Sequence, residues 1–399
     1  MTGVPLLDWI VLVTLLGAVQ GIFLAGALAS KRRNRLANRV LAAMMVAFSI
    51  GLATQVYHAL GLERQYPHFF GVGYPMPFLF GPLVYLYAVF AADRQRRFTQ
   101  LDAVHLAPFV IVVAASLPVY FLTGPEKLAF YVRLREGSVP TWIVVTDWLK
   151  FVSGTAYTVA TIVVLLRHRR RVQDSYSSIE RVNLQWLLWL GIAAAGVWAL
   201  ALGFQVAQAS GMGVDVSADR YVSLAVSVLV YAIGYRALRQ PEIFRYDTAE
   251  MPIPRQEPPA TPSPAAPHTD TERPRYERSG LGERQAERLK ASLIAVMEQE
   301  EPWRNSDLTL ATLAERLATT PHKLSEVLNT EIGQTFYDFV NGYRVRDVQR
   351  RIEAGDAGRQ KMLALAMDAG FASKSTFNLA FKKHTSQTPS DYRVRAVLP

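Results

Sequence analysis

Two stretches decide the reading of this chain: Leu308–Asn329, LTLATLAERLATTPHKLSEVLN, and Lys361–Lys383, KMLALAMDAGFASKSTFNLAFKK. In the first, Leu310, Leu313, Ala314 and Leu317 recur at i, i+3, i+4 and i+7, one apolar face of a helix. Thr319-Thr320-Pro321 breaks that helix. Thr320 suits an N-cap and Pro321 the first position of a second helix. Leu324, Val327 and Leu328 then face inward, while His322, Lys323, Ser325, Glu326 and Asn329 face out. The second stretch repeats the plan. Leu363, Leu365, Ala366 and Ala369 make a helix that stops at Gly370, a C-terminal glycine signal. Phe371 packs behind the stop and Ser373 caps the next helix, whose Thr376, Phe377, Ala380 and Phe381 face the core. Lys374, Ser375, Asn378 and Lys382 face out. Between the two units, Phe336, Phe339, Val340, Tyr343, Val345, Val348 and Ile352 predict one continuous helix.

The tract from Leu308 to Arg395 resembles the DNA-binding domain of AraC/XylS-type transcription regulators. Its most specific part is Gly370-Phe371-Ala372-Ser373-Lys374-Ser375-Thr376-Phe377-Asn378, then Phe381-Lys382-Lys383, then Thr388-Pro389-Ser390-Asp391-Tyr392-Arg393. The resemblance covers the last quarter of the chain. Ser386 stands where the family pattern usually carries glycine. Gly342 interrupts the linker helix, at about 1 kcal/mol relative to alanine.

The resemblance implies double-stranded DNA as partner, met by two recognition helices at major-groove faces about 34 Å apart. His322, Lys323, Ser325, Glu326 and Asn329 are the base-reading candidates of the first. Lys374, Ser375, Asn378 and Lys382 are those of the second. Asn329 and Asn378 suit adenine, and Glu326 a cytosine amino group. Arg344, Arg346, Lys383 and Arg393 are candidates for phosphate, which positions a protein without specifying sequence. For any one of these side chains the plainer reading is a solvated helix face. Phe377 and Tyr392 read as core rather than as base-stacking groups.

The 399 residues suffice for two or three domains. Charged residues make up 19%, below the roughly 25% of soluble proteins, because the first 240 residues are strongly apolar. The net charge of +10 fits nucleic acid, an anionic membrane surface, or both. The chain has no cysteine, which excludes disulfides, thiolate metal sites and a cysteine nucleophile. No zincin, serine-nucleophile or paired-aspartate pattern occurs, so the expectation is a non-enzyme without metal or cofactor. The first apolar run lacks a basic n-region and reads as a retained span, not a cleaved signal.

Seven apolar segments follow one another, near Val4–Ala29, Val40–Leu60, Phe69–Ala92, Leu101–Leu122, Thr141–Leu166, Leu184–Ala207 and Tyr221–Leu238. Each approaches the roughly 20 residues that cross a bilayer. Buried helices of a soluble domain are the alternative. Lys31, Arg32, Arg33, Arg35 and Arg39 lie between segments one and two. Arg94, Arg96 and Arg97 lie between three and four, and Arg167, Arg169, Arg170 and Arg171 between five and six. The positive-inside rule places these loops in the cytoplasm. The N-terminus is then outside, and the C-terminus lies inside, where DNA is. Ionisable residues within spans are costly and mark candidate signal sites: His58, His105, Asp147 and Lys150. An ion pair or an interfacial position is the plainer reading of each.

Residues 241–280 hold Pro252, Pro254, Pro258, Pro259, Pro262, Pro264 and Pro267 without apolar periodicity, a disordered tether. Glu283–Glu300 predicts the first helix of the DNA-binding domain, ended by Pro302. The expected architecture is all-α: a seven-helix transmembrane domain (1–240), the Pro-rich tether (241–280) and a double helix-turn-helix domain (281–399). The function it implies is a membrane-anchored transcription regulator in the bacterial inner membrane. Its partners are DNA, the bilayer, an unknown signal ligand and a second copy as homodimer. The alternative is an intramembrane enzyme or transporter with a regulatory tail.

Overall fold

The computed structural model describes residues 9–31, 34–93, 95–178, 184–210, 218–239, 282–356 and 360–397. The expected tether at 241–280 lies outside them. Apart from one isolated bridge, the regular elements of the described residues are helical, in agreement with an all-α fold. The chain forms two units. The first comprises Met1–His168 and Leu184–Arg245, the second Arg169–Asn183 and Tyr246–Pro399. The second unit thus takes in a short stretch that the sequence reading left wholly within the apolar domain.

The first unit holds α1 (Trp9–Ala29), α2 (Arg35–Ala59), α3 (Pro77–Ala92), α4 (Gln100–Val104), α5 (Ala107–Tyr120) and α6 (Gly124–Arg135). It also holds most of α7 (Thr141–Ser175), with α8 (Gln185–Ala209) and α9 (Ala218–Arg239). Among the described residues, α1, α2, α7 and most of α8 are long and apolar enough to cross a membrane. The third and fourth predicted segments differ from expectation. Residues 70–76 are turns, with Gly71 at φ +84, and α3 starts only at Pro77. Proline at a helix start needs no N–H partner. The 16 residues of α3 give about 24 Å, short of the roughly 30 Å hydrocarbon core. The fourth segment is split. Thr99 and Asp102 form a capping box that starts α4, and α5 begins anew at Ala107. A second capping box, Thr123 with Glu126, starts α6 at 114° to α5.

Small residues let the helices approach closely. A Cβ on Gly17 would lie 3.0 Å from Ser227 Oγ of α9, and one on Gly21 would collide with Ser49 Oγ of α2. Met44, Met45, Leu86, Phe90, Val230 and Ile233 fill the interior. The outside is also apolar: Phe23 is 72% exposed, Trp189 64% and Val152 65%.

The second unit holds α10 (Glu283–Gln299), α11 (Leu310–Arg316), α12 (Pro321–Val327), α13 (Phe336–Glu353), α14 (Met362–Asp368), α15 (Lys374–Thr385) and α16 (Pro389–Val397). It has two main cores. Leu293, Met297, Trp303, Leu310, Leu313 and Leu324 build one; Leu365, Phe371, Phe377 and Phe381 build the other. The linker helix α13 serves both, giving Phe336, Phe339 and Val340 to the first and Val345, Val348 and Ile352 to the second. Gly342 does not interrupt it. Leu363, expected in the core, is exposed, and Leu317 is half-buried just beyond α11.

Candidate DNA interface

Each recognition helix is started by its own cap. Thr320 Oγ1 accepts from Lys323 N (3.4 Å) at α12, and Ser373 Oγ from Thr376 N (3.1 Å) at α15. Such a cap contributes about 1 kcal/mol. Thr309 and Thr335 cap α11 and α13 in the same way. The turn before α15 depends on Gly370, at φ +87. Its N–H donates to Met367 O, and Phe371 N–H to Ala366 O. A Cβ there would lie 2.5 Å from Trp303 O and 2.6 Å from Arg304 O.

With Leu324, Val327 and Leu328 buried, α12 presents His322 fully and Lys323, Ser325 and Glu326 partly. Asn329 is exposed in a widened turn, Leu328–Ile332, and its Nδ2 donates to Ser325 Oγ at 3.3 Å. On α15, Lys374, Ser375, Asn378 and Lys382 are all exposed, opposite the buried Thr376, Phe377, Ala380 and Phe381. Leu379 lies beside Asn378 and is 69% exposed. The sequence reading passed over it. Its signal was an apolar side chain off the buried stripe, a suitable contact for a thymine methyl group.

The phosphate candidates divide. Arg346 and Arg393 are exposed, the first with its guanidinium 4.2 Å from the Tyr343 ring centroid. Lys383 is exposed but paired with Asp338 at 2.6 Å. Arg344 is a correction: it is fully buried, its guanidinium turned inward onto backbone carbonyls, and it has no open path to a phosphate. It repeats at i+4 from Val340 and precedes Val348 by four, on the buried stripe of α13. Asp347, also unremarked in the sequence, is buried and pairs with Arg304, Arg350 and Arg351, each at 3.1 Å. Nearby, a hydrogen bond from Arg304 holds the Glu301 carboxyl below its ordinary value. At the far end, the hydrogen bond between Tyr392 and Glu353 (2.6 Å) pushes the phenol up.

The polar candidates of the first unit meet only in part. His58 Nδ1 lies 2.7 Å from Glu63, and Lys150 Nζ 3.1 Å from Asp147. All four line one cavity of about 1270 Å³, together with Tyr74 and Tyr157. His105 is not on its wall; it bonds to Tyr157 Oη at 3.0 Å and so stands behind it. Among the described residues no group of three or more metal-ligating side chains occurs.

A family described as a helix-turn-helix domain matches residues 313–395. Three relatives are each similar over about a quarter of the chain. A transcription factor of Proteus vulgaris, PqrA, is 26% identical over 96 residues, 24% of this chain and 76% of that protein. An AraC-like transcription regulator of Streptomyces lividans is 26% identical over 91 residues, 23% of this chain and 29% of its own. An HTH-type transcriptional regulator of Staphylococcus aureus (strain COL) is 29% identical over 89 residues, 22% and 12% respectively. The chain spans 76% of the length of the first of these and well under a third of the other two. Residues 313–395 of this chain are a helix-turn-helix domain of the AraC type.

Proposed function

We propose that this regulator is anchored in the bacterial inner membrane by seven helices, with the N-terminus outside and the DNA-binding unit in the cytoplasm. The observation that carries the reading is the apolar outer surface of the first unit. Phe23, Val152 and Trp189 point away from an already filled core. In water such a surface is a liability; in lipid it is the required one. Helices α1, α2, α7, α8 and α9 supply five crossings. Helices α3 and α5 are short, at 16 and 14 residues. With both counted as crossings the total is seven, an odd number, so the chain ends on the side opposite its start.

The cavity is the proposed signal site. It joins an apolar wall to an ion pair, Asp147–Lys150, and a hydrogen-bonded pair, His58–Glu63. Ionisable groups at membrane depth are retained where they bind or sense. On α12 and α15, Asn329, Asn378 and Lys374 read bases, and Arg346 and Arg393 hold phosphates. A homodimer brings two such units to one operator. An anchored regulator of this design acts as a one-component signalling protein.

Fusions of alkaline phosphatase test the topology. Activity is expected after Leu60 and none after Leu238; the reverse pattern sinks the placement. Genome-wide mapping of bound DNA with and without residues 1–240 tests sensing. Identical, signal-independent occupancy in both would leave the spans as an anchor only.

A further inference from the structure

The second unit contains a short segment from far upstream, and that segment is bound like a ligand. Directly after α7, Tyr176 pairs with Thr309 in an antiparallel bridge. Ser177 N–H donates to Leu308 O (3.3 Å), and Ser177 Oγ donates to the same carbonyl (2.7 Å). Ser177 O accepts from Arg344 Nη1 (3.1 Å) and Asn341 Nδ2 (3.2 Å). Arg344 Nη2 donates to Ser177 Oγ (3.1 Å), and Ser178 Oγ donates to Ser306 O (2.7 Å). Ser177 and Arg344 are fully buried, and Asn341 nearly so.

The floor of this slot belongs to the DNA-binding fold. Arg344 Nε donates to Trp303 O (2.7 Å), and its Nη2 also to Asn305 O (2.8 Å). A guanidinium has five N–H donors in a fixed fork. Here the fold's own carbonyls take one side of the fork and Ser177 takes the other. A buried cation whose donors are shared this way selects a segment that offers a carbonyl and a hydroxyl together. Ser177 offers both. Leu308, just before the Thr309 cap of α11, adds the backbone register.

We propose that Tyr176–Ser178 is an intramolecular docking segment, and that the slot over Arg344 and Asn341 is its receptor on the DNA-binding unit. The chain then reaches that unit by two routes, through the stretch 240–281 and through the end of α7. The slot sits where α13 passes from the first core to the second, between Val340 and Val345. Its occupancy therefore bears on the helix that sets the two recognition helices apart. At its other end α7 carries Asp147, Lys150 and Tyr157 on the cavity wall. One helix links the proposed signal site to the linker of the DNA-binding domain. The docking does not itself depend on the membrane reading.

The native chain has no cysteine, which makes the test clean. Partners in an antiparallel bridge have Cα atoms roughly 4.5–5.5 Å apart, within disulfide range. The full-length double variant Y176C/T309C, carrying a protease site inserted after Pro262, is oxidised in detergent and then cleaved. The two fragments should stay joined on a non-reducing gel and separate on reduction. The single variant Y176C should give no joined band. Adding Ser177→Arg sets bulk and like charge against Arg344 without touching the DNA-binding fold. It should lower the joined fraction at least ten-fold. No disulfide in the double variant, or an undiminished yield with Ser177→Arg, would overturn the docking. Either result leaves the topology fusions untouched, so the two readings fail separately.

Discussion

Gly370→Ala isolates the geometry that turns α14 into α15. Two costs add. A left-handed backbone costs an alanine about 1–2 kcal/mol, since Gly370 sits at φ +87. The new Cβ would also lie 2.5 Å from Trp303 O and 2.6 Å from Arg304 O. These are backbone atoms and cannot swing aside. Trp303 O is moreover the acceptor of Arg344 Nε at 2.7 Å. Displacing it strains a buried charged hydrogen bond, a further loss of about 1–3 kcal/mol. The sum is about 2–5 kcal/mol, against a typical domain stability of about 5–15 kcal/mol. Gly333→Ala is the control. It too has a positive φ, +72, but nothing lies within 4 Å of its Cβ. It should lose only the backbone term, about 1–2 kcal/mol. Urea unfolding of the 282–399 fragment, followed by far-ultraviolet circular dichroism, measures both. Equal losses at the two glycines would refute the close contact with Trp303 and Arg304 as the reason for glycine at 370.

Asp347→Asn removes the negative hub shared by three arginines. Because those arginines reach solvent, the expected loss is about 1.5–3 kcal/mol, read in the same unfolding assay; an unchanged midpoint would count against the hub. Ser386→Gly relieves a non-glycine residue held at φ +62 and should add about 0.5–1 kcal/mol, whereas a destabilised variant would show that the serine side chain matters there. Asn378→Ala and Leu379→Ala should each weaken binding to the specific site by about 1–3 kcal/mol while leaving non-specific affinity and its salt slope in place. Footprinting and titration at several salt concentrations separate the two, and a loss uniform over all sequences would move these residues to the phosphate class.

The helix-turn-helix fold was legible because its signals are local. Thr320-Pro321 and Ser373 write their caps in adjacent letters, and Gly370 writes its stop. The apolar stripes of α12 and α15 follow helical spacing, and their residues are buried as that spacing requires. The weaker parts lie where local rules compete with tertiary contacts. Helix α3 was read eight residues too long because Phe69, Phe70 and Val72 are apolar yet sit among Pro67, Gly71, Gly73 and Pro75. Leu363 fits the apolar pattern, but α14 is seven residues long and buries a narrower stripe. In the first unit, hydropathy alone does not show that α5 ends at a sharp bend or that His58 and Lys150 share a cavity.

Arg344 shows most clearly what a sequence reading leaves out. In a DNA-binding domain an arginine is first assigned to phosphate, because charge is expensive to bury. Its position, four residues from Val340 and from Val348, points inward instead. That conflict resolves only when its partners are seen, and one of them, Ser177, is 167 residues away. Gly342 carries the same lesson. Read locally, it weakens the helix that joins the two recognition units. In the fold, a Cβ there would lie 3.3 Å from His384 Cε1, so the glycine permits close approach of α13 and α15. The middle of α13 is therefore where helix propensity gives way to contact. Gly342 seats the second recognition helix, Arg344 holds the docked segment, and Asp347 gathers the arginines. A perturbation of that one turn and a half reaches both cores of the helix-turn-helix domain, because α13 packs into each.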